Sequence, residues 1–252
     1  MFLAGFGASV FGSMVGLGGG FLIVPILRLF FGLHPAMAAG TSLALVVANS
    51  GSGAVAYAMQ RRVHVRVGLV LAAAALPGSI LGAIAVKNLA PHLFDLLFAA
   101  FITIVAIDIL INSEKRLAGR EMHGFAHHTG GMGWTPSILA GFVVGFISSM
   151  FGVGGGVVLI PSLIYFSELP AHAITATSHF AIVLTSPVGL IAHYLQHDID
   201  WNYVVPLVGG GLLGGPLGAR LSLRLHSPRL MSLVAIALIA AAVALVARHV
   251  FG

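Results

Sequence analysis

Gly16-Leu17-Gly18-Gly19-Gly20, with Pro25 beyond it, stands in the middle of one long apolar run, and Gly152-Val153-Gly154-Gly155-Gly156, with Pro161 beyond it, stands in the middle of another. Each run, 2–31 and 137–167, would make a continuous helix of about 45 Å, longer than a bilayer's hydrocarbon core of about 30 Å. Glycine costs about 1 kcal/mol per position in a helix interior, so three in succession mark a break. Each run therefore reads as two half-length helices, joined at Gly18–Gly20 and again at Gly154–Gly156. The join is either a re-entrant hairpin or the bend of a single tilted crossing.

Shifting the chain by 136 positions lays one run on the other without a gap. Leu3-Ala4-Gly5-Phe6 falls on Leu139-Ala140-Gly141-Phe142, Ser13-Met14 on Ser149-Met150, and Thr41-Ser42 on Thr177-Ser178. Gln60 falls on Gln196, and Leu81-Gly82-Ala83 on Leu217-Gly218-Ala219. One constant offset over a hundred residues is duplication, not shared composition. Each unit continues with three apolar segments of single-span length: 35–59, 67–86 and 93–111 in the first, 171–195, 201–220 and 230–250 in the second. Residues 1–112 form the first membrane repeat and 135–252 the second. Between them, 113–134 is a polar joint bearing His123, His127 and His128, expected on the cytoplasmic side.

The 252 residues are 58% hydrophobic and 8% charged, with mean hydropathy +1.04, against about 25% charged in a soluble domain. So few charges cannot cover a soluble surface, and the chain reads as a polytopic integral membrane protein. Its net charge of +5 is a topology signal of membrane loops and does not indicate nucleic acid. Without cysteine there is no disulfide framework or thiolate metal site. Met1–Phe21 lacks a basic n-region and reads as structural, not as a signal peptide.

Lysine and arginine choose between the two forms of the broken segment. If it returns to its starting side, one face receives Arg61, Arg62, Arg66, Lys115, Arg116, Arg120, Arg220, Arg224 and Arg229, and the other only Arg28, Lys87 and Arg248. If it crosses, the split is seven to five. The positive-inside rule prefers the first. It predicts inverted-topology repeats with the nine-residue side cytoplasmic.

Paired interrupted segments in two halves are the sequence pointer to a secondary transporter. Helices starting at Gly20 and Gly156 would begin near the midplane, with unpaired N–H groups and the positive end of the helix dipole directed at an anion. Gly18, Gly19, Gly20, Gly154, Gly155 and Gly156 are the candidate binding backbone; the alternative is that they only permit tight packing. Thr41, Ser42 and Asn49, matched by Thr177, Ser178 and Thr185, supply neutral hydroxyl and amide groups on the following helix. Against this, Ser and Thr often bond a carbonyl one turn back.

His179 shares a helical face with Ser186 and His193 and is either a proton carrier or a structural histidine bonded to a carbonyl. Arg28 is expected to snorkel to the interface, and Asp108 to pair with Lys115 or Arg116. The three histidines of the joint match no metal-ligand spacing. There is no His-Glu-x-x-His, Ala48-Asn49-Ser50-Gly51 lacks the first glycine of the rhomboid Gly-x-Ser-Gly, and the glycine runs lack the Rossmann context. The residues support neither an enzyme nor a cofactor.

Two copies of Gly-x-Gly-Gly-Gly-x4-Pro, each with a Thr-Ser pair twenty-one residues beyond the last glycine, resemble the TauE/SafE family, also called the sulfite exporter or TSUP family. Ile199-Asp200-Trp201 resembles the family's loop motif, whereas Val63-His64-Val65 in the first half departs from it. The resemblance implies transport of small sulfur-containing anions such as sulfite, sulfoacetate or related sulfonates across the cytoplasmic membrane.

The expectation is thus an all-α integral membrane protein of two inverted repeats, each a glycine-broken segment plus three transmembrane helices. It would be a multi-pass protein of the cytoplasmic (inner) cell membrane that moves a small anion by alternating access, driven by protons. The alternatives are a passive anion channel and a non-transporting membrane enzyme or assembly factor. The expected partners are the small anionic substrate and membrane lipid, with a homo-oligomer left open.

Overall fold

Where no water competes for backbone hydrogen bonds, a chain meets them internally, and the helix does so within one segment. The computed structural model describes residues 1–121, 134–166, 169, 171–222 and 228–251, and the regular elements among them are α-helices. In the first half these are α1 (Phe2–Val15), α2 (Gly20–Leu29), α3 (Pro35–Met59), α4 (Val65–Lys87) and α5 (Pro91–Glu121). The second half has α6 (Trp134–Phe151), α7 (Gly156–Phe166), α8 (Ala171–Leu195), α9 (Trp201–Leu221) and α10 (Pro228–Phe251). Among the described residues five helices are long and apolar enough to cross a membrane: Pro35–Met59, Val65–Lys87, Pro91–Asp108, Ala173–Leu195 and Trp201–Leu221. α5 outruns its apolar segment by ten residues, because Glu114-Lys115-Arg116-Leu117-Ala118 are good helix formers that carry the helix past the apolar stretch.

Both glycine runs break their helices, and with one backbone conformation. Gly16, Gly18 and Gly19 have φ of 89°, 86° and 81°, and their counterparts Gly152, Gly154 and Gly155 have 69°, 84° and 71°. Three left-handed residues within four are open only to glycine. α1 closes with a Schellman motif, the Gly16 and Leu17 N–H groups both donating to the Gly12 carbonyl at 2.8 and 2.7 Å.

The chain then folds back. A methyl on Gly19 would lie 2.8 Å from the Ala8 carbonyl oxygen, a turn and more up α1. Ile23, Leu27 and Ile26 of α2 share one apolar cluster with Ala4 and Ala8 of α1 and with Met1 before it. Phe31, just past α2, sets its ring 5.0 Å from Tyr203 at the start of α9, while Phe2 at the start of α1 also reaches α9, at Gly209. α1 and α2 are therefore the arms of a hairpin.

Each hairpin packs on the other half of the molecule. Methyls on Gly214 and Gly218 of α9 would stand 2.6 and 2.2 Å from the carbonyl oxygens of Phe6 and Val10. At the matching places, methyls on Gly78 and Gly82 of α4 would stand 2.1 and 2.2 Å from those of Phe142 and Phe146. Glycines four apart let two backbones touch, and the ascending pairs show α1 parallel to α9 and α6 parallel to α4. α5 and α10 close the bundle over an apolar cluster that includes Phe94, Phe98, Phe151, Leu238 and Leu245.

Arg28 does not snorkel. It is 5% exposed, and its guanidinium takes both carboxylate oxygens of Asp95 on α5, Nε to Oδ1 at 2.7 Å. It also donates to the Leu33 carbonyl and lies over the Phe94 ring. A carboxylate at hand inside the bundle outcompetes a reach to the interface, and Arg248 of α10 donates to the Arg28 carbonyl beside it. The side chains of Lys115 and Arg116, expected partners of Asp108, lie outside those described, as do His123, His127 and His128.

Candidate anion site

The two glycine loops meet face to face. A methyl on Gly20 would lie 2.3 Å from the Gly152 carbonyl oxygen, and one on Gly156 would lie 2.2 Å from that of Gly16. Gly18 faces Gly154, its methyl position 3.7 Å from the Gly154 Cα. The hydroxyls of α3 and α8 fasten this crossing reciprocally. Ser42 Oγ donates to the Gly152 carbonyl at 2.8 Å and to that of Gly20 at 3.3 Å, and Ser178 Oγ donates to the Gly16 carbonyl at 3.1 Å. Thr41 Oγ1 accepts from the Asp200 N–H and Thr177 Oγ1 from the His64 N–H, both at 3.0 Å. The bonds of Ser42 to Gly152 and Ser178 to Gly16 are images of each other under the 136-residue shift, as are those of Thr41 and Thr177.

Of the residues singled out in the sequence, Gly18, Gly20, Ser42, Gly154, Gly156 and Ser178 meet at the crossing, while Thr41 and Thr177 tie α3 and α8 to the starts of α9 and α4. Here the serine hydroxyls serve loop carbonyls, so what they leave facing outward is backbone. Gly19 is the N-cap of α2 and carries no side-chain cap, with the Leu22 N–H reaching back to its carbonyl at 3.3 Å. In α7 the Gly156 N–H turns back to Gly154 at 2.8 Å, and those of Val158 and Leu159 turn back to Gly155. Asp200 explains the Ile199-Asp200-Trp201 motif: its carboxylate caps α9 by accepting the Asn202 N–H at 3.1 Å.

The second polar group lies on one side of the crossing. Ser13 Oγ donates to Asn49 Oδ1 at 2.8 Å and stands 3.1 Å from His179 Nε2. Tyr57 donates its hydroxyl to the Ser13 carbonyl at 2.6 Å and turns its ring edge toward His179, centroids 5.3 Å apart. All four are fully buried. Asn49 Nδ2, His179 Nδ1 and the Oγ of Ser9, one turn before Ser13, are buried without a hydrogen-bond partner.

The sequence placed Asn49 and His179 among the candidates but on different helices, and missed Ser9, Ser13 and Tyr57. The available signal was two serines four apart on an otherwise apolar α1. Thr185, the counterpart of Asn49, stays out of any such cluster and bonds its own helix at Ala181 and Ile182, 3.1 and 3.3 Å away. Ser186 does likewise at 2.7 Å. His193, the counterpart of Tyr57, bonds the Ser149 carbonyl at 2.9 Å. No group of three or more His, Cys, Asp or Glu side chains able to hold a metal occurs among the described residues.

Apolar helices gathered around two broken ones, with polar groups buried where the breaks meet, define the class of multi-pass membrane transporters. The chain belongs to the sulfite exporter TauE/SafE family, whose model matches residues 1–245. It is 30% identical to the probable membrane transporter protein YunE of Bacillus subtilis over 248 residues, covering 92% of this chain and 91% of that one. It is 28% identical to a probable membrane transporter protein of Xylella fastidiosa, covering 86% and 82%, and 29% identical to the probable membrane transporter protein MJ0441 of Methanocaldococcus jannaschii, covering 82% and 76%. No solved structure matches the chain.

Proposed function

We propose that this membrane transporter is a proton-driven secondary carrier of a small sulfur-containing oxyanion or sulfonate, such as sulfite or sulfoacetate, in the cytoplasmic membrane. The observation that carries it is the meeting of two glycine-broken hairpins at a buried centre where donors are left over. The uncapped Gly19 end of α2 offers backbone N–H groups, and Ser9, whose Cα is 3.4 Å from a methyl position on Gly19, has a free buried hydroxyl. Asn49 Nδ2 is a further buried donor without a partner. Neutral donors bind an oxyanion and let it go again. A fixed cation there would hold it, and Arg28 is already neutralised by Asp95.

The halves are inverted across the bilayer in this proposal, with Gln60-Arg61-Arg62 cytoplasmic and Gln196-His197 opposite. The meeting at one end of Lys87 with the Gln196 carbonyl, 3.3 Å, and of α2 with α10 through Arg248 and Arg28 supports it. Alternating access follows when the hairpins shift about a bound anion, the glycine contacts between the halves serving as the sliding surface.

The test is uptake into proteoliposomes of sulfite, sulfoacetate, taurine, sulfate and acetate, with current and lumenal pH recorded together. A saturable uptake of one sulfur anion that a pH gradient accelerates is the expected result, reduced at least tenfold in Asn49→Leu. Non-saturating current indifferent to the gradient would make the protein a channel, and no movement of any anion would remove the transport reading.

A further inference from the structure

The two halves of the crossing are not equivalent, and the difference is chemical. Shifted by 136 positions, Ser9, Asn49, Tyr57 and His179 fall against Gly145, Thr185, His193 and Leu43. One side of the crossing thus has an amide and an imidazole in contact with Ser13, with Ser9 one turn earlier on the same helix. The other has glycine, a threonine bonded to its own helix, and leucine around Ser149.

With the Asn49 amide turned so that Oδ1 faces Ser13, the hydrogen bonds select one tautomer of His179. Ser13 has one proton, and it goes to Asn49 Oδ1, which can only accept. Ser13 Oγ, 3.1 Å from His179 Nε2, must then be the acceptor of that pair. Nε2 therefore carries the ring proton, and Nδ1 presents a bare lone pair, buried and without a partner.

Resting on the carrier reading above, we propose that His179 Nδ1 is the proton-loading atom of this transporter and that Ser13, Asn49 and His179 form an off-axis subsite where proton and anion are carried together. On the loading side a proton from water adds to the Nδ1 lone pair, giving an imidazolium, and on the other side the same proton leaves to water. The groups facing the ring are Ser13 of α1 and Asn49, Gly53 and Tyr57 of α3. Beyond Tyr57, among the described residues, lie the Ser222 hydroxyl and the guanidinium of Arg62, the latter 5.5 Å from that ring. No carboxylate among these neighbours offsets an imidazolium, so the charge that balances it is the transported anion. Either ion alone leaves a net buried charge; the two together do not.

The second half supplies a variant that packs. Leucine already occupies the counterpart position of His179, at fully buried Leu43, so His179→Leu tests chemistry with a side chain the architecture accepts, and His179→Gln retains a donor toward Ser13. Wild type and both variants are reconstituted, and sulfite and sulfoacetate are followed for net uptake with lumenal pH and for anion-for-anion exchange. Wild type is expected to acidify the lumen as anion enters. Both variants are expected to lose acidification and at least tenfold of both gradient-driven uptake and exchange, because an anion without the imidazolium leaves a net buried charge, while both remain monodisperse in detergent.

Gradient-driven, proton-linked uptake in either variant overturns the inference. Wild-type uptake of anion without proton movement overturns it too, but leaves the transporter reading standing. Absence of wild-type uptake and exchange for both probes overturns the transporter reading and the inference with it. A second readout is the ¹⁵N spectrum of histidine-labelled protein, with His179 assigned by its loss in His179→Leu. The ring is expected neutral with Nε2 protonated when no anion is present, and doubly protonated at the same pH with saturating transported anion. A ring that stays neutral overturns the proposal.

Discussion

Arg28 and Asp95 show what a buried charge costs when its partner is removed. Replacing Arg28 alone leaves Asp95, which is fully buried, with an uncompensated charge in the bundle, and breaking such a pair costs about 3–5 kcal/mol. The second half has Ile164 and Met231 at the two counterpart positions, apolar residues in place of both charges. Arg28→Ile is expected to lower Tm in detergent sharply, and Arg28→Ile with Asp95→Met to regain more than half of the loss. A double variant as unstable as the single one would place the stabilisation in the bond from Arg28 to the Leu33 carbonyl and its packing on the Phe94 ring instead. Nothing local announces this pair. Asp95 is 67 positions from Arg28, and a lone arginine near the end of an apolar segment has the same spelling whether it snorkels or pairs.

At the scale of the element, glycines of identical type have opposite duties. Gly7 of α1 has nothing within 4 Å of a methyl placed on it, whereas the methyl on Gly78 would enter the Phe142 carbonyl at 2.1 Å. Gly7→Ala removes only the entropic penalty of glycine in a helix and is expected to stabilise by up to about 1 kcal/mol. Gly78→Ala forces α4 and α6 apart and is expected to destabilise by about 1–3 kcal/mol. Thermal unfolding of the two variants side by side reads both signs; equal effects would mean that the α4–α6 contact yields freely.

The breaks at Gly16–Gly20 and Gly152–Gly156 were legible because three glycines in an apolar run conflict with any unbroken helix. That Gly210, Gly214 and Gly218, four apart, form a packing face is seen in the structure, and its partner was not legible at all. That α9 rests on the first helix of the other half, and that Ser13 reaches His179 across 166 positions, is set by tertiary packing that no periodicity encodes.

For the whole molecule, the duplication turns orientation into a measurable difference between matched sites. Gln60 and Gln196 are counterparts in the 136-residue shift, each just past the end of a long helix, α3 or α8. In inverted repeats they lie on opposite sides of the membrane, and in parallel repeats on the same side. The charge count favours inversion through the positive-inside rule, and the helix directions agree, since α3 ends where α4 and α6 begin while α8 ends where α4 finishes, at Lys87. The chain has no cysteine, so single cysteines need no background removed. A membrane-impermeant maleimide applied to intact cells is expected to label Gln196→Cys directly and Gln60→Cys only after permeabilisation. Labelling of both from the outside, or of neither until the membrane is opened, would make the repeats parallel. The hairpins would then have to cross the bilayer, against the return of α2 along α1 marked by the contact of Phe31 with Tyr203.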